Sequence, residues 1–215
     1  MKRIMIVMAA VAAMLLSASC SGHKGAREEA EAEMTDSLAV EDPAAQQWQK
    51  VDPMELEMMP VGRFAKDWMA LCVGDSKNMN AMTISWGGIG QLWNRPVVTV
   101  YVSSDRFTKK MMDACTYFTV TAFPEDSKCK DALVYLGSHS KRDEPDKVEN
   151  CGLTVEYTAL GNPTFSEGNL VLECRKLYQD RFSEEQIPDD IRERYYSDMG
   201  VHTMYIGEIV GAYVK

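Results

Sequence analysis

The stretch Asn78-Met-Asn-Ala-Met-Thr-Ile-Ser-Trp-Gly-Gly88 constrains the fold of this chain more than any other. Read as one strand, it alternates sides: Asn80, Met82, Ile84 and Trp86 share one face, and Ala81, Thr83 and Ser85 share the other. Amides, hydroxyls and an indole crowd into this half-apolar segment, and Gly87-Gly88 lets the backbone turn or approach another group closely. Two readings fit these residues: a half-buried strand ending in a Gly-Gly turn, or a strand lining a flat polar ligand.

The segments around it have the same character. Trp68–Val73 is a short apolar run stopped by Gly74-Asp75, and Val97–Val102 is a β-branched run after the break Asn94-Arg95-Pro96. Tyr117–Phe123 ends at Pro124, Leu153–Leu160 and Asn169–Leu177 read as two more strands whose residues describe a barrel wall, and His202–Val210 reads as a further strand. Helical spacing occurs in two places. Phe107, Met111, Met112, Ala114 and Cys115 share one face, and Cys129, Ala132, Leu133 and Leu136 share another, which marks Cys129 as a core residue. Polar, aromatic Gln179–Ser197 breaks the strand series and reads as an excursion that packs on a second subunit. The expected class is mainly β with a few helices.

The N-terminus is of another kind. Lys2 and Arg3, the uncharged run Ile4–Leu16, and small residues before Cys20 form an export signal over residues 1–19 that resembles a bacterial lipobox. Cys20 is then the expected acylated residue, with the membrane reached through the lipid anchor alone and the domain held in the bacterial cell envelope; a plain secreted protein is the other reading of the same signal. Residues 20–50 carry Glu28, Glu29, Glu31, Glu33, Asp36, Glu41 and Asp42 among alanines, a composition that cannot bury enough surface to offset its ordering entropy. They read as an acidic flexible tether. Residues 51–215, roughly 165 in number, make one domain of ordinary size.

A net charge of −9 leaves no basic surplus for a nucleic-acid partner. The cysteines beyond Cys20 are Cys72, Cys115, Cys129, Cys151 and Cys174, an odd set without a Cys-x-x-Cys pair, and His23, His139 and His202 lie far apart, so no zinc spacing is present. Export permits disulfides, but the spacing does not single out a pair.

Ser103 to Lys110 runs from a strand into a helix, with Ser104 or Asp105 as N-cap. Free N–H groups at a helix start, with Arg106 and Lys109 beside them, suit a phosphate; the same residues also suit a capped surface helix. The loop Gly137-Ser-His-Ser-Lys-Arg-Asp143, followed by Asp146-Lys147, is similarly open between a cation-bearing wall and a solvated charged loop.

Asn80-Ala-Met-Thr-Ile-Ser-Trp-Gly87 resembles the signature strand of the flavin reductase-like family, the FMN-binding split β-barrels, and in particular its flavoredoxin-type branch. Gly137–Asp143 with Asp146-Lys147 and Gly152-Leu153 resembles a second motif of that branch, with Lys141 in place of its usual glycine. His202-Thr-Met-Tyr-Ile-Gly-Glu-Ile resembles a third. The resemblance implies a homodimeric split β-barrel with a flavin at the subunit boundary. It assigns non-covalent FMN to Asn80, Thr83, Ser85 and Trp86, to Arg106 and Thr108 of an Arg-x-x-Thr-like stretch over the phosphate, and to His139, Ser140, Arg142 and Lys147, with His202 contacting the flavin or the incoming reductant; the helix-start reading adds Ser103 and Lys109 around the phosphate. Members of the family take hydride from NAD(P)H or pass electrons to a redox partner protein. NAD(P)H is a cytoplasmic reductant, so export favours an electron carrier, or a reductase fed by an envelope partner. The alternative is a non-catalytic flavin-binding or interaction lipoprotein.

Overall fold

The computed structural model describes residues 47–215; the expected signal peptide, Cys20 and most of the tether lie outside the described residues. Ten strands form. They are β1 (Gln49–Val51), β2 (Met69–Gly74), β3 (Met79–Ile84), β4 (Gly87–Leu92), β5 (Arg95–Ser103), β6 (Tyr117–Ala122), β7 (Val155–Tyr157), β8 (Pro163–Phe165), β9 (Leu170–Arg181) and β10 (His202–Val214). Five helices accompany them: α1 (Pro60–Gly62), α2 (Phe107–Ala114), α3 (Ser127–Ser138), α4 (Lys147–Asn150) and α5 (Asp189–Tyr195). Among the described residues no helix is long and apolar enough to cross a membrane.

Eight strands make one antiparallel sheet in the order β3-β2-β6-β9-β10-β5-β4, with β1 beside the far end of β10. That order forces a barrel. The edge strands β3 and β4 are joined through Ser85 and Trp86 alone. Three Cα steps reach about 11 Å at most, whereas a flat sheet of this order would hold its edges about 29 Å apart. The sheet therefore curls until its edges meet, yet β3 and β4 share no ladder. The barrel is split at this seam, and the signature stretch crosses it.

Alternation sorts the side chains as the sequence suggests. Met69, Leu71, Val73, Met82 and Ile84 enter the barrel core with Val98, Val100, Phe118, Leu172 and Tyr205. Ala70, Cys72 and Ala81 face outward into a second core under α3, whose Cys129, Ala132, Leu133 and Leu136 are its buried positions. Asp126 caps α3, its carboxylate accepting from the Cys129 N–H at 2.9 Å.

Several expectations change. Gly87-Gly88 is not a turn but the start of β4, paired with Val100 and Thr99. The turn comes later, at Trp93 and Asn94, whose φ values of 52° and 56° fit the two-residue hairpin turn that follows a twisted ladder. Gln49 and Lys50, assigned to the tether, are already strand: Trp48 donates to Glu156 at 3.0 Å, and β1 pairs with β10. Leu153–Leu160 does not join the barrel wall. Only Val155–Tyr157 is strand, and it forms a separate hairpin with β8, because Pro163 and the positive φ of Gly161 turn the chain back at once. Gln179 to Arg181 extend β9, so the excursion begins at Phe182. The described cysteines are all unpaired.

Candidate functional site

Two adjoining hollows open beside the seam, and Met82, Ser103, Arg106 and Met199 line both. One, of about 280 Å³, lies between β3, the start of α2 and the loop after α3. The other, of about 160 Å³, lies over Ser85, Trp86, Tyr101 and His202. Together they form a groove in the size range of small-ligand sites.

The start of α2 differs from expectation. Neither Ser104 nor Asp105 caps the helix; Arg106 stands at the cap position, without a side-chain bond to the helix. Asp105 turns the other way and accepts from the Gly200 N–H at 2.5 Å, while Ser103 Oγ donates to the Gly200 carbonyl at 2.9 Å. The carboxylate that would oppose an anion is thereby held against the 182–201 segment. The first N–H groups of α2 lack a capping side chain, the condition under which a helix start receives an anion.

Thr108 and Asn80 are buried together, and Asn80 Nδ2 donates to Thr108 Oγ1 at 2.9 Å. Asn80 Oδ1 is buried without a partner on the wall of the groove. With the carboxamide turned over, Thr108 donates to Oδ1 and the amide N–H₂ becomes the group presented to a ligand. Either orientation leaves one polar atom of Asn80 for a ligand to satisfy.

The loop after α3 supplies charge. Lys147 is buried, and its Nζ donates to the carbonyls of Leu136 at 3.0 Å and His139 at 2.7 Å, closing the C-terminal end of α3. Burial, and then the nearby Arg106, push its pKa down to about 8. Arg106 Nη1 donates to the Gly137 carbonyl at 2.7 Å, so the same helix end holds both cations. His139 stacks on Tyr135 with ring centroids 3.9 Å apart, Ser140 Oγ accepts from the Arg142 N–H at 3.2 Å, and Arg142 lines the wall. Lys141 reaches across to Asn78 Oδ1 at 3.1 Å and the Met79 carbonyl at 2.5 Å, which ties the loop to the start of β3. A glycine there could not make that bridge.

The other end is aromatic. Trp86 packs 5.0 Å from His202 and edge-on to Tyr195 at 5.4 Å. His202 opens β10, only 7% exposed, and its Nδ1 lies 3.2 Å from the Tyr196 hydroxyl. Burial, and then Arg106, hold its pKa below the usual value. Thr83 borders this end, but its hydroxyl donates to the Leu133 carbonyl and is committed to packing α3.

Of the residues expected around the ligand, Asn80, Thr83, Ser85, Trp86, Ser103, Arg106, Thr108, His139, Ser140, Arg142, Lys147 and His202 all line the groove. Lys109 does not. It points along the outside of α2 and pairs with Asp113 at 2.7 Å. Lys141, Met199, Tyr195 and Tyr196 belong to the site or its rim without having been expected there. Larger hollows lie beneath the excursion, at about 670 Å³, and beside Lys130, at about 400 Å³. Neither has a buried unpartnered polar atom on its wall.

Comparison with solved structures finds the same fold. A flavoredoxin from Methanosarcina acetivorans is similar, with a TM-score of 0.54 and 22% identity over 69% of this chain and 68% of that one. An FMN-binding domain of a flavin reductases-like enzyme from Shewanella baltica OS155 has a TM-score of 0.55 and 17% identity over 78% and 77%. The FMN-binding protein of Thermus thermophilus, solved with 1-cyclohex-2-enone bound, has a TM-score of 0.53 and 20% identity over 73% and 77%. No curated protein matches the sequence. The flavin reductase like domain family matches residues 61–215, which span the barrel, the seam and the whole groove, and the chain belongs to that family.

Proposed function

We propose that this protein binds FMN non-covalently in the groove and acts as an oxidoreductase or electron carrier of flavoredoxin type. The observation that carries the reading is the polarity of the groove. Arg106, Lys141, Arg142 and Lys147 gather at one end, beside an uncapped helix start and the unsatisfied Asn80 carboxamide, while Trp86 and His202 form an aromatic floor at the other. A phosphomonoester joined by a flexible chain to a flat polar ring matches that division.

The residues present fit the cofactor. Arg106 and Arg142 supply donors for phosphate oxygens, Lys147 a point charge, and Thr108 and the α2 N–H groups further donors. When bound, the flavin supplies the two-electron chemistry. The chain's own part is to bind, orient and exclude water. It needs no nucleophile, since the redox chemistry is the flavin's.

The remaining assignments belong to the same proposal. Cys20 carries the lipid anchor, residues 1–19 are the export signal, and the domain works in the cell envelope as a homodimer with a redox partner protein. NAD(P)H is a candidate reductant only if it reaches that compartment. The visible spectrum of the purified protein tests binding, and anaerobic mixing with NADH or NADPH tests turnover, since the flavin band bleaches only when reduction occurs. A yellow protein that stays yellow with every donor supports the non-catalytic flavin-binding alternative.

A further inference from the structure

The groove has a closed end as well as an aromatic one. β3 runs along it: Asn80 and Met82 line the larger hollow, and Met82 to Trp86 line the smaller. From Met79 to Ile84 the strand covers about 17 Å, so its first residues lie at the end away from Trp86. Lys141 bonds there. From the loop on the opposite wall its ammonium donates to the Met79 carbonyl at 2.5 Å and to Asn78 Oδ1 at 3.1 Å, which carries the side chain across the hollow. Both of its anchors are fixed. Asp75 Oδ1 accepts from the N–H groups of Lys77 at 2.8 Å and Asn78 at 3.0 Å, and a Cβ on Gly74 would lie 2.1 Å from the Asn78 carbonyl, so the β2–β3 turn is tightly wound. On the loop side the Ser140 carbonyl accepts from the N–H groups of Asp143 at 3.0 Å and Glu144 at 2.9 Å, and the Glu144 carboxylate accepts from Asn150 and the Tyr135 hydroxyl. A charged donor held between two such points forms a strap, since its hydrogen bonds are stronger than neutral ones.

We propose that Lys141 is a specificity-determining residue whose strap across the far end of the groove admits a flavin ending in a phosphomonoester and turns away one whose phosphate continues into a dinucleotide. Arg106 borders both hollows, so a phosphate that it holds sits between Trp86 and the strap. A lysine ammonium has three N–H donors, and two are used on β3 and the turn before it. The third is left for a terminal phosphate oxygen. A second phosphate and a nucleoside would have to occupy the space that the Lys141 side chain crosses, and entry there breaks both of its bonds to Asn78 and Met79. FMN is therefore accepted and FAD excluded. The inference deepens the FMN reading of the same groove and rests on it.

The test is isothermal titration calorimetry of the full-length protein with FMN, FAD and riboflavin, repeated on Lys141→Ala and on Lys141→Met, which keeps the length of the side chain but none of its donors. The wild type should bind FMN roughly 10- to 100-fold more tightly than FAD, the worth of the charged hydrogen bonds that FAD must break. In both variants that preference should shrink to within about threefold, chiefly through tighter FAD binding, because the broken bonds no longer count against it. Riboflavin, which stops short of the strap, should bind all three proteins alike, whereas a merely structural role for Lys141 would move its affinity too. Equal affinity of the wild type for FMN and FAD overturns the selectivity and leaves the flavin reading standing, and that comparison holds even if a variant fails to fold. A full preference retained in either variant, or riboflavin affinity that falls with the others, overturns it as well. Uptake of neither flavin by the wild type removes the flavin reading and the selectivity together.

Discussion

Asn80 Nδ2 donates to Thr108 Oγ1 at 2.9 Å, in the buried space between β3 and the first turn of α2. Because β3 borders the seam of the barrel, this bond sets where the start of α2 stands relative to the groove. Asn80→Ala leaves the Thr108 hydroxyl unpaired in a buried position, a cost of about 1–3 kcal/mol. Urea denaturation should show that loss, and FMN titration should show affinity lowered by roughly tenfold or more, since the orphaned carboxamide atom goes with it.

Arg106 and Lys109 lie one helical turn apart and have opposite roles. Arg106 lines both parts of the groove, whereas Lys109 is paired with Asp113 outside it. Arg106→Ala should weaken FMN binding about 10- to 100-fold, the worth of a charged hydrogen bond. Lys109→Ala should leave affinity unchanged and cost at most about 0.5 kcal/mol of stability, as expected for an exposed i,i+4 pair. Fluorescence quenching of FMN by the two variants measures the difference.

Lys147 gives the site a pH dependence. Its pKa is pushed down to about 8, so below that value the group is charged and attracts a phosphate dianion, and above it the attraction is lost. FMN affinity should therefore fall as pH rises from 7 to 9.5. Riboflavin, which lacks the phosphate, should show no such fall, and Lys147→Gln should flatten the FMN profile. Stability moves in the opposite sense: between about pH 8 and the ordinary lysine value of 10.5 the unfolded chain holds the extra proton, so the contribution of this group rises with pH across that window. Denaturant midpoints over the same range check the sign.

The two glycines of the signature are unequal. A Cβ on Gly87 would lie 2.2 Å from the Phe64 ring and 2.7 Å from the Thr99 carbonyl, while one on Gly88 meets nothing within 4 Å. Gly87→Ala should destabilise the barrel by about 1–3 kcal/mol through overpacking at the seam. Gly88→Ala should be tolerated. Thermal melts of the two variants separate them.

Local pattern revealed what local pattern governs. Cys129, Ala132, Leu133 and Leu136 were legible as a helix face because period and burial agree within a few residues, and β2, β3, β5 and β6 were legible by alternation and punctuation. Three motifs and the strand-to-helix run Ser103–Lys110 pointed to residues that line the groove, except where phase on the helix matters: Lys109 sits near Arg106 in sequence but turns toward Asp113. What could not be read depends on distant partners. Gly87 is a glycine because of Phe64, not because of a turn. Asp105 looks like a cap until Gly200, far along the chain, takes its carboxylate. Tyr196 lies in a segment without a motif, and its contact with His202 appears only when β10 brings the two together.

The central claim is that the groove binds FMN by its phosphate at the cationic end and by its ring at the aromatic end. Titration of the purified protein with FMN, followed by visible absorption and fluorescence, tests it most directly. The prediction is one FMN per chain, with quenched fluorescence and affinity well above that for riboflavin. A colourless protein that takes up no added FMN, or one that binds riboflavin as tightly as FMN, would contradict it.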